Sequence, residues 1–177
     1  MLVAITLAAA YAGETRWVAA SDPAFVVANA AAVELVDDRD GCRLRLRRPF
    51  DLPGKGYGWD NPGATVRFRS SARTLVVRLR YSEKHISTSA RNGIGLVLVD
   101  GRWQSDWTFD AGMATVQRAV TVVERVLPVP ADDGEHDYTL VMPYGDSVEF
   151  CGVRLDADAR LRPPLACAKV RWVAYGD

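Results

Sequence analysis

Histidine and cysteine are scarce in this 177-residue chain, which holds two histidines and three cysteines. No two cysteines have the CxxC spacing, so the usual ligand set of a structural zinc site is missing. The sequence also lacks an apolar run of about 20 residues, the length that a membrane-spanning helix requires. We therefore expect no metal ion, no other cofactor and no membrane-spanning segment.

A net charge is absent as well, because 22 Lys and Arg residues balance 22 Asp and Glu residues. A balanced chain has no overall field that would attract nucleic-acid phosphates or an anionic membrane surface. Basic and apolar residues alternate from Arg43 through Arg45 to Arg47, and in a strand this spacing places the three arginines on one face. We expect a solvated arginine face and neither a nucleic-acid nor a membrane partner.

The three cysteines, Cys42, Cys151 and Cys167, cannot all pair within one chain. Cys151 and Cys167 could close a loop in an exported protein, although free buried thiols are the interpretation that we favour. Residues 1–12 hold a short apolar run with an A-x-A-like end but no positive residues before it. This run is either a clipped signal peptide, which predicts a secreted or periplasmic protein, or a first strand, which leaves a cytoplasmic one open.

Period-two alternation of apolar and polar residues dominates the chain, and turn residues interrupt it about every ten residues. In the clearest case Leu75, Val77, Leu79 and Tyr81 share one face. The predicted strands are 16–19, 25–29, 32–36, 42–47, 65–69, 74–81, 93–99, 102–109, 115–123, 138–142 and 148–155. Many short strands with regular turns are typical of all-β proteins. We predict a two-sheet antiparallel β-sandwich, jelly-roll-like, with one orphan strand at its carboxyl end.

The best hairpin signal is Asp100-Gly101, which separates two runs with strand character. Asp and Gly readily adopt the positive φ angles that both central positions of a type I′ turn require. The sequence therefore predicts a tight hairpin at these two residues.

The last segment has a different character. Pro163 and Pro164 form a rigid spacer. Residues 169–177 then consist of a basic residue, an apolar strand and Gly176-Asp177. A strand that runs into Gly-Asp is typical of the first part of a strand–turn–helix unit.

This tail resembles the opening of the α/β domain in SGNH (GDSL-type) esterases, where a short strand leads into Gly-Asp-Ser and the serine is the nucleophile. The residues before it are similar to the amino-terminal β-sandwich found in a subset of these enzymes, including family-2 carbohydrate esterases and related acyltransferases. The segments that carry this resemblance are 17–23 (WVAASDP), 98–101 (LVDG), 134–140 (GEHDYTL) and 150–155 (FCGVRL).

The resemblance implies an accessory sandwich over residues 13–162, followed at 163–177 by a linker and the first strand of an SGNH hydrolase domain. It implies that this catalytic domain is the partner, in an enzyme that deacylates carbohydrate or other acyl esters. Only Gly176 and Asp177 of the nucleophile motif are present, so we expect the chain itself to have no esterase activity.

A second Gly-Asp-Ser occurs at Gly145-Asp146-Ser147. A serine nucleophile needs a base within hydrogen-bond reach, and this motif should open a helix, whereas the residues after Ser147 continue as a strand. Both histidines, His85 and His136, precede it, and we expect His136 in a turn exposed to solvent. We interpret Ser147 as a turn residue.

Aromatic residues give the remaining indication of a ligand. Tyr57 and Trp59 lie in a Gly-rich loop, where flat rings can stack on sugars. Trp103 and Trp107 lie four apart on one predicted strand, hence on one face, and we interpret them as core residues. The alternative function is therefore a self-sufficient carbohydrate-binding, lectin-like module; a purely structural interaction domain also fits the composition.

Overall fold

The computed structural model describes residues 13–30, 32–39, 41–47, 63–81, 94–108, 121–142 and 148–166. The regular elements within these ranges are all strands, and no helix that could cross a membrane is found there. The strands are β1 Thr15–Ala19, β2 Val26–Ala28, β3 Ala32–Asp38, β4 Gly41–Arg47, β5 Thr65–Ser70, β6 Leu75–Tyr81, β7 Ile94–Val99, β8 Arg102–Thr108, β9 Thr121–Val126, β10 His136–Val141, β11 Val148–Asp156 and β12 Leu161–Arg162.

The strands form two six-stranded sheets in which every pairing is antiparallel. The first sheet has the order β3-β4-β11-β6-β9, and β1 also pairs with β11. The second sheet has the order β12-β5-β10-β7-β8, and β2 also pairs with β5. The predicted all-β, two-sheet antiparallel sandwich is confirmed.

The alternation seen in the sequence places the core as expected. In β6 the side chains of Leu75, Val77 and Leu79 are fully or almost fully buried. One strand, β12, was not predicted. It is only two residues long, which is too short to show an alternation of apolar and polar residues, and only its pairing with β5 identifies it. The predicted orphan strand lies outside the described residues, as does the first part of the predicted strand 115–123.

Four aromatic rings join the two sheets. Phe25 makes edge-to-face contacts with Phe68 of the second sheet and Phe150 of the first, at centroid distances of 5.5 and 4.9 Å. Phe68 also stacks on Tyr138 at 5.3 Å. Such ring pairs contribute about 0.5–1.5 kcal/mol each beyond the burial of their area, so this cluster is a main source of cohesion between the sheets.

Two backbone features shape the ends and edges of the sandwich. Asp100 and Gly101 have φ angles of 52° and 74°, which confirms the predicted tight hairpin between β7 and β8. A β-bulge shifts the register of β11 between Phe150 and Gly152, and Gly152 has a φ of 123°. Only glycine adopts that angle readily, so the bulge depends on this residue.

Candidate functional site

His136 lies between two carboxylates at one end of the second sheet. Its Nδ1 atom is 2.7 Å from Asp100 Oδ2, and its Nε2 atom is 2.9 Å from Asp132 Oδ1. Asp100 is placed by the β7–β8 turn, and its other oxygen accepts the Asp137 N–H at 2.9 Å. Asp132 accepts the Gly134 N–H at 2.7 Å. We name the three side chains of Asp100, Asp132 and His136 the His136 clasp.

Each member of the clasp changes the pKa of the others. The hydrogen bond to Asp100 raises the pKa of His136 most, the bond to Asp132 adds to it, and burial opposes both. The Gly134 N–H and His136 lower the pKa of Asp132. For Asp100, burial raises the pKa but is outweighed by hydrogen bonds from His136 and the Asp137 N–H. The clasp therefore favours an imidazolium held by two carboxylates.

This geometry corrects the expectation that His136 is exposed in a turn. The residue begins β10, and its side chain is only 12% exposed. Sequence spacing could not reveal this, because one of its two carboxylate partners is 36 positions away. Since both ring nitrogens already contact carboxylates, the ring cannot accept a proton from a serine hydroxyl without breaking the clasp.

The other predicted site residues lie outside the described residues. The sugar-binding loop, the second Gly-Asp-Ser and the nucleophile motif all stay predictions. The residues concerned, which lie outside the described ranges, are Tyr57, Trp59, His85, Ser147, Gly176 and Asp177.

The outer face of the first sheet carries a buried carboxylate, Glu149, which contacts three arginines. Its oxygens accept hydrogen bonds from Arg43 Nε at 2.6 Å, Arg45 Nε at 2.6 Å and Arg80 Nη1 at 2.7 Å. These arginines come from β4 and β6, the strands on either side of β11. The predicted solvated face is wrong for Arg43, because Glu149 compensates its charge and its side chain is only 4% exposed.

Further arginines and carboxylates on this face form ion pairs with one another. Arg43 also makes a two-pronged contact with Asp38, at 2.7 and 2.9 Å. Glu124 accepts from Arg78 at 2.6 Å and from Arg154 at 3.1 Å. Arginines paired in this way are held by carboxylates of the same face, so their arrangement favours a structural role over binding of an anionic ligand.

Neither a metal site nor a reactive thiol is evident within the described ranges. No group of three or more His, Cys, Asp or Glu side chains there could hold a metal ion. Cys42 and Cys151 are free, as we favoured from the sequence. Burial raises the pKa of the Cys151 thiol to about 11, so it stays protonated at neutral pH and is a poor nucleophile. Cys167 lies outside the described residues.

The outer face of the second sheet carries exposed apolar side chains near the β7–β8 hairpin. Leu98 lies opposite Trp103 in β8, and Leu96 lies opposite Val141 in β10. Trp103 is 62% exposed and Leu96 is 37% exposed. We name these four residues, Leu96, Leu98, Trp103 and Val141, the apolar patch.

The exposure of Trp103 shows that its predicted core position is wrong. The β7–β8 register shifts between Val97 and Leu98, so that Val97 pairs with Ser105 and Leu98 with Trp103. One extra residue in β8 therefore interrupts the alternation between Trp103 and Trp107, and their spacing of four no longer argues for a shared face.

The chain leaves the second sheet beside the apolar patch. β12 pairs with the edge of β5, and soon afterwards the Leu165 N–H donates to Asp137 Oδ1 at 3.0 Å. Asp137 alternates along β10 with the fully buried Tyr138, so its carboxylate lies on the outer face. Residues 163–166 therefore run onto that face.

No protein-family model matches the chain, and a comparison with curated proteins found no match. The fold is similar to that of a salicylyl acyltransferase from a tetracycline biosynthetic pathway, with a TM-score of 0.62 and 23% identity over 86% of this chain and 42% of that one. It is also similar to a protein described as a GDSL-like lipase from Bacteroides ovatus, with a TM-score of 0.55 and 15% identity over 85% of this chain and 43% of that one.

A family 35 carbohydrate-binding module from an environmental isolate also aligns, covering 85% of this chain and 97% of that one at 19% identity. Its TM-score is 0.42, which is too low to support an assignment. At these identities the first two likenesses establish the fold alone. This chain spans less than half the length of the acyltransferase and of the lipase-like protein.

Proposed function

We propose that this chain is a non-catalytic β-sandwich that accompanies an SGNH-type acyl-transfer domain in an enzyme acting on carbohydrate or other acyl esters. The observation that carries this proposal is the fold match to two proteins described as an acyltransferase and a lipase, each with more than half its length outside the match. The sequence from Arg171 to Gly176-Asp177, which resembles the strand before an SGNH nucleophile, supports the same assignment.

The chemistry of the described residues fits an inert companion. The histidine found there, His136, has both ring nitrogens engaged by Asp100 and Asp132. The Cys151 thiol is buried, and its raised pKa disfavours the reactive thiolate. Covalent ester hydrolysis requires a nucleophile paired with an available base, and these groups provide no such pair.

A direct assay tests this inertness. The 177-residue protein is expected to leave p-nitrophenyl acetate hydrolysis at the buffer rate, because the described residues provide no serine paired with an available base, and Ser147→Ala is expected to change nothing. The rate is followed by absorbance of the released nitrophenolate. Turnover that disappears in Ser147→Ala would identify Ser147 as a nucleophile and refute the proposed accessory role.

The apolar patch is the surface that we propose for packing against the acyl-transfer domain. An exposed Trp side chain is typical of interface centres, whereas the arginines described on the first sheet's outer face are already paired with carboxylates. The chain also passes onto the patch's face at Leu165, so a domain joined after residue 166 would start beside it. The proposed occupant is therefore the α/β domain of the same enzyme.

Trp103→Lys is expected to weaken binding of the α/β domain at least about tenfold, or about 1.4 kcal/mol, because it places a charge at the centre of the contact. Isothermal titration of the 177-residue protein with the proposed α/β domain, expressed from the continued reading frame, measures this change in affinity. Val126→Lys is the matched control, because Val126 is 77% exposed on the edge strand of the first sheet.

If both variants and the unchanged protein bind the α/β domain with equal affinity, the apolar patch is not the packing surface. If the unchanged protein instead binds oligosaccharide and Trp103→Lys abolishes that binding, the chain is a carbohydrate-binding module. The exposed ring of Trp103 is the observation that favours this second candidate.

A further inference from the structure

The His136 clasp joins the β9–β10 loop and the start of β10 to the β7–β8 turn, which lies 36 positions earlier in the sequence. Asp100 belongs to the β7–β8 turn, and Asp132 belongs to the loop that carries the chain from β9 of the first sheet to β10 of the second. His136 begins β10, and the next residue, Asp137, accepts the Leu165 N–H where the chain leaves the sheet. Opening the clasp would therefore release the hairpin tip and the crossing loop together.

A doubly protonated ring satisfies both of these distances best. A neutral imidazole has one N–H and one lone pair, so it can donate to Asp100 or to Asp132 but not to both. The other nitrogen would then present its lone pair to a carboxylate oxygen less than 3 Å away. Loss of one proton thus replaces a charge-assisted hydrogen bond by a repulsive contact.

We propose that Asp100, His136 and Asp132 form a pH-sensitive latch that closes this end of the sandwich while the His136 ring carries both protons and opens when the ring loses one at higher pH. The latch stands on the geometry of this chain alone and does not depend on the proposed function. Because Trp103 lies two residues after Gly101 of the β7–β8 turn, the same event would loosen the hairpin that carries the apolar patch.

The surrounding charged groups do not compensate for the proton that the His136 ring loses. Glu135 is directed to Arg160 at 2.6 Å and to Arg69 at 3.4 Å, and the Asp137 carboxylate is occupied by the Leu165 N–H. The charged or titratable groups from the elements around His136 are Arg69 of β5, Asp100 of the β7–β8 turn, Asp132 and Asp133 of the β9–β10 loop, Glu135 and Asp137 beside it, and Tyr138 of β10.

The pH window follows from the direction of each pKa shift. His136 has a raised pKa in the folded state, so its contribution to stability is complete below its unfolded pKa and is lost as the pH rises through the folded value. Asp100 and Asp132 have lowered values, so their contributions are complete above the unfolded pKa and are lost as the pH falls through the folded ones. The latch is closed between these limits.

Amide hydrogen exchange of the 177-residue protein between about pH 6 and about pH 9 tests the latch, after correction for the intrinsic pH dependence of exchange. Protection of the Asp100, Asp137 and Leu165 amides is expected to fall at least about tenfold over this range, because a charge-assisted hydrogen bond is lost when the His136 ring gives up a proton. The Val77 amide in the central part of the first sheet is expected to keep its protection.

Two variants separate the latch from a general effect of pH. His136→Gln is expected to give low protection of the same three amides at every pH, and His85→Gln is expected to behave like the unchanged protein. In nitrogen-detected NMR both ring nitrogens of His136 should stay protonated to a higher pH than in Asp132→Asn. Constant corrected protection in the unchanged protein, or an identical pH profile in His136→Gln, would overturn the latch, whatever the outcome of the acyl-transfer assays.

Discussion

Replacing Glu149 by glutamine is expected to destabilise the sandwich by about 3–5 kcal/mol, the usual cost of removing one partner from a buried charge cluster. Glu149 is 4% exposed and accepts from Arg43, Arg45 and Arg80 within 2.7 Å. A neutral amide leaves the Arg43 guanidinium buried with part of its charge uncompensated, and it turns one acceptor into a donor facing arginine. Urea denaturation followed by circular dichroism measures the change.

Glu34→Gln is the matched control, because Glu34 also contacts Arg45 but is 53% exposed and lies 3.4 Å away. Loss of the Glu34 charge is expected to lower the free energy of unfolding by less than about 1 kcal/mol, as is usual for solvent-screened pairs. Similar costs for the Glu34 and Glu149 variants would show that burial of the arginine cluster contributes little to stability.

Gly152→Ala is expected to cost at least about 3 kcal/mol, because two unfavourable effects add at one residue. A side chain at a φ of 123° is strained, and a Cβ built there overlaps the carbonyl oxygen of Val18. Val18 lies in β1, which pairs with β11 at this point, so the strand must move away to make room. The Trp17 ring, which approaches the same Cβ position and lies 4.3 Å from the Arg78 guanidinium, must move with it.

Thermal denaturation of Gly152→Ala and Gly101→Ala side by side tests this explanation. Gly101 has a positive φ of 74° as well, but a Cβ there meets no atom within 4 Å. Its substitution is therefore expected to cost about 1 kcal/mol, from backbone strain alone. Equal melting temperatures for the two variants would mean that the close approach of β1 is not what requires glycine at 152.

The sandwich could be predicted because its strands obey one simple periodicity. Leu75, Val77 and Leu79 alternate with outward residues, and Asp100-Gly101 provides the positive φ angles of the hairpin. A two-residue strand such as β12 has no period and becomes visible only through its partner. Alternation thus determines which residues face the core but not how every short segment is paired.

The candidate sites were less predictable, because each depends on contacts between distant residues. The spacing of Arg43 and Arg45 indicated a shared face, but the buried partner of Arg43, Glu149, lies more than 100 positions away. His136 is a lone histidine until the fold brings Asp100 to it. Trp103 was assigned to the core because the sequence does not reveal the β-bulge in β8. The bulge is visible only in the register of β8 against β7.

Ester turnover by two proteins measured side by side tests most directly whether this sandwich is the inert companion of an acyl-transfer domain. One is the 177-residue protein, and the other is the product of its reading frame continued past Asp177 in the gene. We expect hydrolysis of p-nitrophenyl acetate only by the longer protein, and its loss when the serine codon expected directly after Asp177 is changed to alanine. Turnover by the shorter protein, or a continued frame that encodes no such serine and gives no turnover, would contradict the proposal.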